Sequence, residues 1–412
     1  MNYREALKVI HQKGNFNLPA GLDRIKNLLN VLGNPQNKFK AIHIAGTNGK
    51  GSTAAMTAEV LEKAGYKTGL FTSPYIVEFR DRIRINGEFI PETTLARLTE
   101  RVAETNITVS EFEMITAIGF LYFAEENCDV AVIETGLGGR FDATNTMDNV
   151  LVSVITKIGL DHTAILGDTI KQIAKEKCGI IKNSITVTVP NQPDEAIKVI
   201  AESSDNLTVP DISKLQVINS GLSGNEFIYK GNRYITGLAG AFQIDNALTV
   251  IEAIKKSGLS VSQQNLFDGI KSAHFPARLE VFYNGKVVLD GAHNPDGANV
   301  LANEMKYYSG EVTAIIGMMK DKDFESVLKS TLPYCKKVIA VTVPDMPRAL
   351  NAEELACYAK KYCKDVICAD SYKRALNIAL ISKSDAPVFV FGSLYLASGI
   401  RPLFKNIETE IK

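Results

Sequence analysis

The chain has 412 residues, 46 basic and 46 acidic side chains, 45% hydrophobic residues and no formal net charge. That balance lacks the positive excess that a general nucleic-acid binder or a polybasic membrane protein needs. Recurrent apolar runs exclude disorder along most of the chain, and no run of about 18 apolar residues marks a membrane span. Six cysteines without C-x-x-C spacing read as free thiols rather than a zinc site. The expectation is a soluble, cytoplasmic protein of a reducing compartment, with two or three domains at roughly 150 residues each.

The opening MNYREALKVIHQKG patterns as a charged amphipathic helix. Lys40 to Ala45 reads as a strand, then a glycine-rich turn, then a helix from Ser52 to Lys63. KTGLFTS is a further strand, followed by helices from Pro91 to Glu104 and Phe112 to Glu126. Asp129 to Glu134 and Asn149 to Thr156 read as buried strands, and Thr169 to Ile181 as a helix. Strands separated by helices imply right-handed crossovers and a mostly parallel sheet. Between Ser204 and Leu238, short alternating runs such as NEFIYKGNRYIT predict a small β excursion, with a helix from Gln243 to Ser257 behind it. A proline in HFPAR, ahead of a strand from Lys286 to Asp290, places the domain boundary between 275 and 276. Residues 276–412 alternate again (VTAIIG, KKVIAVTV, DVICAD, APVFVFG) and form a second, smaller α/β domain.

The strongest local signal is IHIAGTNGKGS, Ile42 to Ser52, a strand running through Gly46, Thr47, Asn48, Gly49, Lys50, Gly51 and Ser52 into a helix. Glycines let backbone N–H groups converge on phosphate oxygens, a helix N-terminus favours negative charge, and Lys50 adds a mobile cation. The strict P-loop pattern is broken at Ile44 and Gly51, so a ligand-free turn is the alternative. Bound phosphates call for Mg²⁺, which prefers oxygen ligands. Glu134 ends a buried strand at the open edge of a parallel sheet, where ligands bind; an ordinary loop carboxylate is its alternative. Ser73 in TSP and His162 in GLDH follow strands in the same way, with turn-forming and structural roles as their alternatives. Lys177, late in a helix, has a favourable dipole position as its plain reading.

Taken in order, GTNGKGS, TSPY, FEMITAIGFLYF, ETGLGGRFDATN, IGLDHTAILGDTIKQIAKEKCGIIK, FQIDNAL, FPARLE, DGAHNPDGA, MMKDKD and FGSLYLA resemble the folylpolyglutamate synthase/dihydrofolate synthase family of the Mur ligase superfamily. The resemblance spans essentially the whole chain. It implies a P-loop NTPase-like central domain followed by a Rossmann-like C-terminal domain. It also implies an ATP-dependent ligase that activates a carboxylate as an acyl phosphate and joins it to L-glutamate. The substrates implied are ATP, L-glutamate and dihydropteroate or a reduced folate, with one or two Mg²⁺ ions. Carried over by residue, Thr47 to Lys50, with Gly51, Ser52, Asn246, Arg278 and Asp290, would contact the nucleotide. Ser73, Glu134 and His162 would ligate metal, Lys177 would be carbamylated, and His293 would lie near the nucleotide grip. Gly21, Leu22, Ser110, Glu111, Phe112, Glu113, Phe141, Asp142 and Ala143 match a dihydropteroate site, with Asp142 accepting from the pterin ring or, alternatively, organising its own turn. Tyr75 stands where many members carry histidine. A monomer is expected.

Overall fold

The structure, a computed structural model, describes residues 1–12, 21–182, 184–308, 310–381 and 385–407. Lys13 and Gly14, the end of the expected first helix, lie outside the described residues; the helix is seen over Tyr3–Gln12. Two compact units emerge. The first comprises Met1–Gln216, Phe227–Thr236 and Ile244–His274; the second comprises Val217–Glu226, Gly237–Gln243 and Phe275–Lys412. A single cut near residue 275 therefore misses two short segments, 217–226 and 237–243, that pack with the second unit. The sequence reading places them in or beside the β excursion and carries no sign of which core they join.

The first unit holds an eight-stranded sheet in the order β4-β3-β2-β5-β1-β6-β7-β8. Its strands are β1 Lys40–Ala45, β2 Thr68–Phe71, β3 Ile83–Ile85, β4 Glu88–Phe89, β5 Val130–Glu134, β6 Val150–Ile155, β7 Ile185–Thr188 and β8 Leu207–Thr208. The β2–β3 and β3–β4 pairs at one edge are antiparallel; the remaining pairs are parallel. β5 is wholly buried and β1 nearly so, which is why both read as continuous apolar runs. β1 and β5 are neighbours, yet the chain leaves β1 toward β2 and β5 toward β6. Connections leaving adjacent strands in opposite directions open a crevice beyond their C-terminal ends. The glycine-rich loops after Ala45 and Glu134 both rise there.

The helix Lys50–Lys63 packs against the helix Gln263–Ser272. A Cβ at Gly269 would lie 2.4 Å from Val60 Cα, so this close approach depends on glycine. The β excursion is a three-stranded sheet of β9 Leu215–Asn219, β10 Asn225–Tyr229 and β11 Asn232–Thr236, in the order β11-β10-β9. Lys230 and Gly231, at φ 48° and 78°, make the two-residue turn that joins β10 to β11, the geometry hairpins favour.

In the second unit, a six-stranded sheet runs β12-β13-β17-β14-β15-β16. The strands are β12 Glu280–Phe282, β13 Val287–Leu289, β14 Val312–Ile316, β15 Cys335–Val341, β16 Asp365–Ala369 and β17 Val388–Phe391. Only the β12–β13 pair is antiparallel among them. Its core gathers Phe389, Phe391, Val338 and Leu355. All six cysteines are free. Among the described residues no helix is long and apolar enough to cross a membrane.

Candidate active site

The loop after β1 is held by carbonyl groups of the segment after β6. Thr47 N and Asn48 N both donate to Lys157 O, at 2.9 and 3.1 Å. Thr47 Oγ1 donates to Gly159 O at 3.0 Å and accepts from Gly159 N at 3.1 Å. Gln192 braces that segment in turn: its Oε1 accepts from Ile158 N at 3.0 Å and its Nε2 donates to Thr156 O at 2.8 Å. The expectation that the whole stretch from Thr47 faces phosphate therefore needs correction. The amides of Thr47 and Asn48 shape the loop, and the amides that begin at Gly49 head the helix Lys50–Lys63, which has no side-chain cap. An uncapped N-terminus presents N–H groups and the positive end of a dipole to an anion. Gly49 sits at φ 88°, with its missing Cβ only 2.6 Å from Asn246 Oδ1. At Gly46 a Cβ would fall 1.8 Å from Thr156 Oγ1. Ser52 is buried within the first helical turn. Lys157 and Gln192 were not singled out in the sequence: the first acts through its carbonyl, which leaves no trace in residue type, and the second through a side-chain amide that meets its partners only in the fold.

Glu134, buried at the end of β5, accepts from Ser73 N at 3.1 Å through Oε2. Two of the expected metal ligands thus meet. Their donors suit Mg²⁺, which binds through one or two protein oxygens and takes the rest from phosphates and water. His162 is not at a strand end. It lies in the loop beyond β6 at φ 50°, heading the short helix Thr163–Leu166, with Nε2 3.8 Å from Asp161 Oδ1. Among the described residues no three His, Cys, Asp or Glu side chains cluster as a metal cage.

Lys177 departs furthest from its plain sequence reading. It is the last residue of the helix Ile170–Lys177, is 4% exposed, and donates from Nζ to Gly46 O at 2.7 Å. Burial, and then the charge of Lys50, push its amine down to about 7. Lys50 Nζ lies 3.3 Å from Thr47 O, so two amino groups hang on neighbouring carbonyls of one loop. The helix reaches this place through two glycines. A Cβ on Gly139 would lie 2.6 Å from Lys177 O, and one on Gly179 would lie 2.4 Å from Arg140 Cα. Arg140 N donates to Glu176 O at 2.8 Å, and Asn145 Nδ2 to Gly179 O at 2.9 Å. The expected helix to Ile181 ends early because Cys178–Ile180 tightens into a 3-10 turn around this contact. Gly179→Ala should overpack the junction, cost about 1–3 kcal/mol and lower ATP turnover. Unchanged thermal unfolding and turnover would mean that this packing does not set Lys177.

Among the residues expected on the pterin side, Phe141, Asp142 and Ala143 lie in the loop after β5 and Phe112 packs against it. Ser110 and Glu113 form a capping box on the helix Glu111–Glu125, and Glu113 also pairs with Arg24 at 3.2 Å. Leu22 packs on the same core, beside Gly21. Glu111 lies 3.4 Å from His11. Phe112 fits against Gly136, where a Cβ would meet its ring at 2.4 Å. Phe141 is exposed and Ala143 buried. Asp142 organises its own turn. Its carboxylate is buried and accepts from Gly136 N, Leu137 N, Thr144 N and Thr144 Oγ1 at 2.5–3.0 Å. Those four donors fix the carboxylate in the loop after β5, the turn-organising arrangement given as its alternative.

A Mur ligase middle domain model matches residues 44–254, and a model of the dihydrofolate synthetase C-terminal domain matches 278–403. The folylpolyglutamate synthase of Lacticaseibacillus casei is 37% identical, covering 97% of this chain and 98% of its own. The chain belongs to the folylpolyglutamate synthase/dihydrofolate synthase family. The dihydrofolate synthase/folylpolyglutamate synthase of Bacillus subtilis is 36% identical, covering 98% of this chain and 99% of its own. Escherichia coli FolC, solved in complex with DHPP and ADP, superposes with a TM-score of 0.88 at 29% identity over 100% of this chain and 99% of its own. The chain is accordingly an α/β ATP-dependent ligase of this synthase family.

Within the second unit, three expected residues of this ligase form one group. Asp290, buried at the end of β13, accepts from Leu279 N at 2.8 Å and from Ala292 N at 2.7 Å. Burial raises its pKa, and Arg278 opposes that rise. A Cβ on Gly291 would meet Arg278 Nη1 at 2.8 Å, so the glycine keeps the guanidinium beside the loop. His293 Nδ1 lies 3.0 Å from Gly291 O, just ahead of the helix Pro295–Met305 that Asn294 caps.

Proposed function

We propose that the chain joins L-glutamate to a folate carboxylate. It would act on reduced folates as a folylpolyglutamate synthase and on dihydropteroate as a dihydrofolate synthase. In the first step a carboxylate oxygen attacks the γ-phosphorus of ATP, giving an acyl phosphate and ADP. In the second, the amine of L-glutamate attacks the acyl carbon, phosphate leaves with the bonding pair, and the amine loses a proton. The observation that carries the reading is the meeting, at one sheet edge, of an uncapped helix N-terminus, Lys50 and the buried amine of Lys177. Such phosphoryl transfer is catalysed mainly by positioning and fixed charge.

In this reading Gly49, Lys50, Gly51 and Ser52 bind the terminal phosphates, and Asn246, Arg278 and Asp290 contact the nucleotide. Ser73 and Glu134, with His162 as a third ligand, would hold Mg²⁺, which neutralises phosphate charge when bound. Lys177 is the candidate for carbamylation, since its amine titrates near neutrality and a carbamate there would face Lys50 instead of repelling it. The dihydropteroate activity is supported by the double name of the Bacillus subtilis relative and by its near-complete coverage. The reading extends to a monomer of the cytoplasm, where six free thiols suit a reducing milieu.

The test is ADP release with Mg-ATP and L-glutamate, run separately with dihydropteroate and with a reduced folate monoglutamate, with products identified by mass. Turnover of both is expected. Turnover of the reduced folate alone would remove the dihydropteroate activity, and glutamate-independent ADP release would point to an ATPase switch instead.

A further inference from the structure

β1 carries a histidine in the middle of a buried strand. Ala41 and Ala45 flank it on the same face and belong to two different apolar clusters, so His43 lies at the seam between them. It is fully buried. An imidazole in such a place carries a desolvation cost, and no step of the phosphate chemistry employs it. Its contacts lead elsewhere. Nε2 lies 2.8 Å from Thr144 Oγ1. Thr144 Oγ1 reaches Asp142 Oδ1 at 2.5 Å, and Asp142 Oδ2 accepts from Gly136 N and Leu137 N at 2.9 and 2.8 Å.

A hydroxyl has one proton. With that proton directed at the carboxylate, Thr144 Oγ1 accepts from His43, so Nε2 bears the imidazole hydrogen. Burial, aided by Lys182, pushes the imidazole down to about 3, and the ring stays neutral in this tautomer at ordinary pH. Nδ1 is buried with no hydrogen-bond partner among the described residues. The ring therefore serves as a single fixed donor at the head of a three-residue chain.

We propose that His43 is a positioning residue for the folate side of the site. Through Thr144 it orients Asp142, and through Asp142 it fixes the Gly136–Leu137 turn against Phe112 and sets the loop that presents Phe141. The same loop abuts the helix end at Lys177 through Gly139. The inference rests on the folate-ligase reading for what the loop binds, but not for the relay itself.

Three full-length variants test it, each read by amide hydrogen exchange over 136–145 and by steady-state kinetics. His43→Leu removes the donor, Thr144→Val breaks the chain at its middle with little change of shape, and His43→Gln keeps an N–H near the position of Nε2. In the first two, exchange at Gly136 and Leu137 should rise about tenfold and KM for the folate substrate should rise about tenfold, with KM for ATP within about twofold. His43→Gln should restore both values. Unchanged exchange in His43→Leu and Thr144→Val would overturn the relay. Faster exchange with an unchanged folate KM, or with an equal rise in the KM for ATP, would overturn its role toward folate. A wild-type chain that turns over neither folate substrate would sink the proposed function, and the exchange data would still decide the relay.

Discussion

Replacing Lys50 with alanine should lower glutamate-dependent ADP release by about 10³-fold while leaving thermal unfolding nearly unchanged. Lys50 opens the helix Lys50–Lys63, and its Nζ is held 3.3 Å from Thr47 O inside the phosphate loop. No carboxylate is seen paired with Nζ in that contact, so its loss leaves no buried anion behind. The backbone of the loop is fixed independently, by the Lys157 and Gly159 carbonyls. Binding of ATP should therefore weaken less than turnover, since backbone N–H groups persist while the mobile cation that follows charge onto the transferring group is gone. Near-normal ADP release from Lys50→Ala would remove the phosphate-loop assignment.

Much of this arrangement was legible because it depends on periodicity and glycine placement. Val130–Glu134 and Lys40–Ala45 are short apolar runs bounded by turn residues, and parallel central strands have few other signatures. What escaped was set by tertiary approach. Gly139 and Gly179 lie far apart in the chain, and nothing local says that each makes room for the other's segment. Their contact carries Lys177 out of solvent and against Gly46 O, so a helix-end lysine became a buried amine. Asp142 shows the same limit: a carboxylate suits a pterin ring chemically, and only the fold reveals the four donors that its own loop supplies. The segments 217–226 and 237–243 were misassigned because membership of a core is a property of contacts, not composition. The motif resemblance named Lys177 and the metal-side residues. The fold supplies the physical reasons for the lysine's altered amine.

Lys177→Met should yield an enzyme that is more stable at neutral and acidic pH yet slower by at least about 10²-fold. Its amine falls from an ordinary 10.5 to about 7 on folding, first through burial and then through Lys50. Between those two values the unfolded chain holds the extra proton, so wild-type stability rises with pH across that window. Below about 7 the folded chain must also protonate, and the full penalty is present. Methionine fills the same volume without an ionisable group and removes that slope. The variant's advantage in urea unfolding should therefore be largest below about pH 7, shrink as pH climbs, and vanish near 10.5, less about 1 kcal/mol for the lost bond to Gly46 O. The comparison belongs in CO₂-free buffer, so that a carbamate on the wild-type amine does not mask the titration. A stability gap that does not change with pH would show that Lys177 is not held as a neutral amine, and the case for its carbamylation would fall with it. A gap of the expected form, joined to lost turnover, would mean that the fold tolerates a destabilising amine at this position because the ligase chemistry requires one.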